Sequence, residues 1–180
     1  MHTAKNHNGF TLIELLVVVV IIGILASIGI ASYNSSINNA HYGKVISDFE
    51  EISLAAKRYY LKYGIYPYDR PPEALTVYWD PPSGFLLPDQ LEKWPTPPCT
   101  GWKYDWDNWI RDAAHNIANA QAANGNPEQM VRVTLKNSTG DSQFYYCIFD
   151  ANSNVTTPCR EAADTAVDIK TSTLKSISCN

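Results

Sequence analysis

Three groups of side chains in this 180-residue chain are placed where they could do chemistry. The first is one carboxylate, Glu14, set inside an apolar run from Phe10 to Ala31. An ionised carboxylate at membrane depth costs about 3 kcal/mol even on lenient insertion scales, so its position calls for a partner. The second group is four cysteines, Cys99, Cys147, Cys159 and Cys179, all in the second half of the chain. They show no CxxC pairing and no neighbouring histidine, which argues against zinc. An even count beyond an apolar amino-terminal segment points instead to disulfides made in an oxidising compartment, with three connectivities open. The third group is Asp105, Asp107 and Asn108, hard oxygen ligands that make a weak calcium candidate without EF-hand spacing. The simpler reading of that face is a solvated one. His2 and His7 precede the apolar run, His41 falls in a helical stretch and His115 in a polar insertion, none with a partner pattern. No nucleophile elbow, phosphate loop or metal-ligand spacing is present, so we expect no enzyme and no cofactor.

These groups must be held by a chain of one ordinary domain plus an appended segment. Its net charge is -4, and its 14 Lys and Arg are dispersed, which gives no footprint for nucleic acid as a main partner. The apolar run covers about 22 residues, enough for a membrane span, which needs about 20. A secretory signal has a shorter core followed by a small-residue cleavage site, and neither is found here. From Ser32 to Tyr63 there is no proline, and Val45, Phe49, Ile52, Ala56, Tyr59 and Tyr63 draw one apolar stripe at spacings of four and three. Asp48, Glu50, Glu51, Lys57, Arg58 and Lys62 fall largely off that stripe. Gly64 reads as the C-cap, with Pro67 just beyond. One helix from Phe10 to Tyr63 would be about 80 Å long, more than a domain of this size can cover. Its first half must protrude, and its second half packs on a sheet.

Nine of the 11 prolines lie between Pro67 and Pro98, and all five tryptophans between Trp79 and Trp109. This reads as an ordered connecting loop, 65–101, too aromatic for a disordered linker. The segment 102–149 is read as a sheet. Trp102, Tyr104 and Trp106 alternate with Lys103, Asp105 and Asp107. MVRVTLK puts Val131, Val133 and Leu135 on one face, and QFYYCIF follows the turn NSTGD. A polar insertion at 112–127 interrupts this segment, and a Cys-bearing region at 150–180 follows it. The fold class is α+β: a long amino-terminal helix, transmembrane over 10–31 and amphipathic over 32–64, on a small antiparallel sheet.

GFTLIELLVVVVIIGILASIGIASY resembles the amino-terminal signal of type IV pilins and type II secretion pseudopilins. The match runs through Phe10, Thr11, Leu12, Ile13, Glu14 and Leu15, then Gly23, Ile24 and Leu25. It covers roughly the first third of the chain; beyond it only the general layout matches. Where many members carry proline this chain has Ala31, with Gly29 close by. The resemblance implies that residues 1–9 are a leader, cut after Gly9 by a prepilin peptidase that methylates the new amino terminus, Phe10. Its amine would then meet Glu14 of a neighbouring subunit, offsetting part of the burial cost and fixing register. The bland alternative is a carboxylate snorkelling at a membrane interface. The resemblance further implies a single-pass precursor in the inner membrane with its domain outside the cytoplasm. An assembly platform would then extract that precursor into a filament with itself and other pilins. The function implied is a structural subunit of a type IV pilus-like filament. The alternatives are a pseudopilin of a type II secretion system, or a minor or tip pilin that binds a surface, DNA or an exported substrate. Some pseudopilins bind calcium near their sheet. In pilins a cystine often ties down the carboxy-terminal region, which implies Cys159–Cys179 and, by remainder, Cys99–Cys147.

Overall fold

The structure, a computed structural model, describes residues 10–69, 90–91, 93–110, 125–152, 154, 156–160 and 165–179. The leader expected at 1–9, most of the proline-rich loop and residues 112–124 of the polar insertion lie outside these.

A single helix, α1, runs from Leu12 to Tyr63. Its 52 residues span about 78 Å at 1.5 Å per residue. It passes Gly29 and Ala31 without interruption. Gly64 ends it at φ 74°, donating its N–H to the Tyr60 carbonyl at 2.8 Å. That left-handed position favours glycine because a Cβ would crowd the carbonyl. The two halves of α1 meet different surroundings. Leu12 is 81% exposed and Ile28 64%, and the apolar stretch between them has no part buried. That half is long and apolar enough to cross a membrane. In the second half Val45, Phe49, Ile52, Ala56 and Tyr59 are fully buried. The stripe read from the spacing is therefore the packed face.

Strands β1 (Lys103–Ile110), β2 (Gln129–Lys136) and β3 (Ser142–Asp150) form the expected antiparallel meander. A fourth strand that the sequence did not signal, β4 (Val167–Asp168), pairs in parallel with β3. Two residues are too short to show alternation. The sheet is therefore mixed, in the order β1-β2-β3-β4.

Strand alternation divides the interior in two. On the helix side, Tyr104, Trp106, Val131, Val133, Leu135 and Phe144 pack against the α1 stripe. Phe49 meets the Tyr104 ring edge-on at 5.4 Å, a favourable aromatic geometry. On the far side lies a second, smaller cluster that includes Trp109, Met130, Tyr145, Cys147 and Cys159.

The solvated reading of the Asp105 and Asp107 face is overturned: the residues are 6% and 2% exposed. A buried carboxylate persists only when paired and hydrogen-bonded. Asp107 accepts from Arg132 Nε at 3.1 Å and from the Thr134 hydroxyl, and Asp105 pairs with Lys136. Arg132 lies 5.0 Å from the centroids of both the Trp109 and Tyr145 rings and donates to the Cys159 carbonyl at 2.9 Å. Burial pushes the Asp107 carboxyl up, while the Arg132 guanidinium and the Thr134 hydroxyl pull it down. Asp48 is buried too, although the helical spacing set it off the stripe. It accepts from Lys44 Nζ at 2.7 Å and from the Tyr104 hydroxyl at 2.7 Å, tying α1 to β1. Burial, reinforced by the Asp48 carboxylate, raises the Tyr104 hydroxyl above its ordinary range.

Candidate assembly site

The amino-terminal turn of α1 is closed by Thr11 and Glu14. Thr11 has extended backbone, φ -81° and ψ 151°, as an N-cap requires. Glu14 N–H donates to Thr11 Oγ1 at 3.3 Å. In return, Glu14 Oε2 accepts from the Thr11 backbone N–H at 2.8 Å and from its hydroxyl at 2.6 Å. This is a capping box, which satisfies amides that the first turn of a helix leaves without carbonyl partners. It also places the Glu14 carboxylate at the positive end of the helix macrodipole. The pattern Thr-x-x-Glu before an apolar run signals such a box in sequence. Phe10, 76% exposed, precedes the cap. Phe10 and Glu14 thus share one exposed helix end, followed by the unburied apolar half of α1. Gly9 lies outside the described residues.

The other candidates do not join this end. Asn108 does not converge with the aspartates: its amide donates to the Pro67 carbonyl at 2.8 Å on the helix side of the sheet, where Trp106 Nε1 also donates to that carbonyl. Asp105 and Asp107 face the far side, each held by a cationic side chain. The three therefore form no shared oxygen cluster.

The disulfide pairing implied by the resemblance is corrected. The bonds are Cys99–Cys179 and Cys147–Cys159, not Cys99–Cys147 and Cys159–Cys179. The sheet decides this. Cys147 lies on the far side with Cys159 in the second cluster, whereas Cys99 belongs to the helix-side core. A Cys99–Cys147 bond would have to pass through the sheet. Both bonds together leave no free thiol. His41, read as having no partner, lies with Nδ1 3.3 Å from Cys179 Sγ and 3.3 Å from the Ile177 carbonyl.

A family match falls on the amino-terminal end described above. The family described as the prokaryotic N-terminal methylation motif matches residues 4–30. The type IV major pilin protein PilE1 of Neisseria gonorrhoeae is 40% identical over 64 residues, 36% of this chain and 30% of that protein. The probable minor fimbrial protein of Dichelobacter nodosus is 41% identical over 54 residues, 30% of this chain and 34% of that protein. The type II secretion system core protein G of Klebsiella michiganensis is 38% identical over 63 residues, 35% of this chain and 44% of that protein. This chain carries the amino-terminal signature of the type IV pilin and pseudopilin family. The matched stretch spans less than half the length of each of these relatives. No solved structure matches.

The chain is thus similar, over part of its length, to a major pilin, a minor fimbrial protein and a secretion-system core protein alike. The pilin-like layout of a long protruding helix on a small sheet accords with this similarity. The far-side ion pair and both disulfides lie beyond the segment matched to the methylation motif.

Proposed function

We propose that this chain is a subunit of a type IV pilus-like filament, polymerising through the amino-terminal half of α1 and displaying the sheet domain. The observation that carries the reading is the contrast along one helix: residues around Leu12–Ile30 are exposed and apolar, while the stripe from Val45 to Tyr59 is sealed by the sheet. An exposed apolar surface of that size needs lipid or other copies of itself around it. Before assembly lipid surrounds it, with the domain outside the cytoplasm; afterwards the helices of neighbouring subunits do.

In this reading a prepilin peptidase cuts after Gly9 and methylates Phe10, and an assembly platform at the inner membrane moves the subunit into the filament. The new Phe10 amine, beside the Glu14 carboxylate, supplies the cation for pairing between staggered subunits. A pseudopilin of a type II secretion system uses the same helix. The similarity to the Klebsiella core protein supports that alternative, as the minor fimbrial relative supports a less abundant subunit.

The test is shear fractionation of cells producing the native chain. The subunit should appear in sheared filaments as well as in the membrane. Stoichiometry in the filament separates a main subunit from a tip subunit. Residence solely in the membrane fraction, with no higher assembly after crosslinking, rejects the filament reading.

A further inference from the structure

We propose that Cys179, with His41 beside it, is a thiol–disulfide exchange site, the point at which an external dithiol opens this chain. The two disulfides differ in access. Cys147 and Cys159 are 8% and 0% exposed within the far-side cluster. In the other bond Cys99 is 2% exposed, but Cys179 is exposed at the end of the carboxy-terminal segment. An attacking thiolate therefore meets Cys179 Sγ first. Exposed disulfides are the labile ones.

His41 is the second observation. Its ring nitrogen and the sulfurs of Cys99 and Cys179 all lie within 4.8 Å of one another. The Ile177 carbonyl accepts only, so the contact at 3.3 Å assigns a proton to Nδ1. That same N–H faces Cys179 Sγ at 3.3 Å. Its hydrogen bond polarises Cys179 Sγ, the sulfur under attack, and the departing Cys99 Sγ lies within 4.8 Å of the same ring. The step balances as follows. A thiolate of the dithiol bonds to Cys179 Sγ, the Cys99–Cys179 bond breaks, and its electron pair leaves on Cys99 Sγ, which takes up a proton. The second thiol of the dithiol then displaces Cys179 from the mixed disulfide and leaves as a cyclic disulfide. The dithiol is oxidised by two electrons, the cystine is reduced, and two protons pass to the cysteines.

The bond secures more than two residues. Ile177 N–H donates to the Asn38 carbonyl at 3.0 Å, and Lys175 Nζ donates to the Tyr42 hydroxyl at 3.2 Å. The segment 172–179 thus lies along α1 where the exposed half passes into the domain. Opening Cys99–Cys179 removes the covalent tie that keeps it there.

The test uses the full chain in detergent micelles with limiting dithiothreitol, quenched by alkylation at intervals and mapped by mass spectrometry. Cys99–Cys179 should open several-fold faster than Cys147–Cys159. H41A should slow the first opening several-fold and leave the second unchanged. H41Q keeps an N–H donor at this position and should restore much of the first rate. C99S should take up one glutathione at Cys179 from oxidised glutathione. If His41 only anchors the tail, H41A opens faster than wild type. That outcome, equal rates for the two bonds, or no glutathione on C99S overturns the proposal.

Discussion

Glu14 Oε2 accepts hydrogen bonds from both the backbone N–H and the hydroxyl of Thr11, at 2.8 and 2.6 Å. Glu14 therefore already has a task inside its own subunit, before any neighbour arrives. Capping and intersubunit pairing make different demands on the side chain. Capping needs an acceptor at this position, which glutamine also supplies. Pairing with an amine needs the negative charge. Glu14→Gln should keep the helix end intact, insert in the membrane and yield a stable domain, yet lose most filament incorporation by shear fractionation. Glu14→Ala should lose incorporation as well. Thr11→Ala removes the reciprocal half of the box and should reduce incorporation only mildly. If Glu14→Gln assembles at wild-type yield, capping alone explains the residue.

Processing gives a second expectation. Cutting after Gly9 leaves Phe10 as the amino terminus with Thr11 still an ordinary amide, so the box survives maturation. Mass spectrometry of membrane and filament fractions should find a chain beginning at methylated Phe10. Gly9→Val should block cutting, because a branched side chain would crowd the peptidase. A native chain that still carries His2, or one that starts after Phe10, contradicts this.

Most of the helix was legible in the sequence. The stripe from Val45 to Tyr59 and the Gly64 cap follow from the period of a helix and from glycine's access to positive φ. The strands β1 to β3 were legible from alternation. Alternation does not say what covers each face, and there the reading failed. Asp105 and Asp107 looked solvated because charged residues usually are. Their partners Arg132, Thr134 and Lys136 sit on β2, and only register brings them opposite. The cysteine pairing failed for the same reason. Strand parity puts Cys147 on the face away from Val131 and Phe144, but the sides taken by Cys99 and Cys179 depend on irregular segments without a period. At the candidate site, Thr-x-x-Glu is the sequence mark of the capping box, but the pattern alone does not separate a capping carboxylate from one held for pairing.

The corrected pairing predicts unequal effects of removing each bond. Non-reducing peptide mapping should recover Cys99–Cys179 and Cys147–Cys159. The sequence separations are 80 and 12. In the chain-entropy account a 15-residue loop contributes about 3 kcal/mol and a 100-residue loop about 4.7 kcal/mol, so the longer bond should matter more. Chemical unfolding of the full chain in micelles, followed by tryptophan fluorescence, should show the double variant C99A/C179A less stable than C147A/C159A. The reverse order would mean that the far-side cluster, not chain entropy, sets the scale.

The buried pair of Asp107 and Arg132 supports a last prediction. Both side chains are nearly excluded from water, at 3% and 4% exposure. Removing one partner leaves the other charge in a low-dielectric site without its counter-ion and with the hydrogen bond between them lost. Such losses run to about 3–5 kcal/mol. Arg132→Met should do this to Asp107 and also remove the stacking between Trp109 and Tyr145 and the bond to the Cys159 carbonyl. Asp107→Leu should strand Arg132, although its bond to that carbonyl persists, so its loss should be the smaller. The double variant D107L/R132M buries no unpaired charge and should recover much of the stability lost in either single change. Unfolding midpoints of the four proteins, at fixed detergent and ionic strength, give the coupling directly. A strictly additive double variant would mean that the two side chains do not act as a pair. Helix insertion and Gly9 processing should be unchanged throughout, since the pair lies across the sheet from α1.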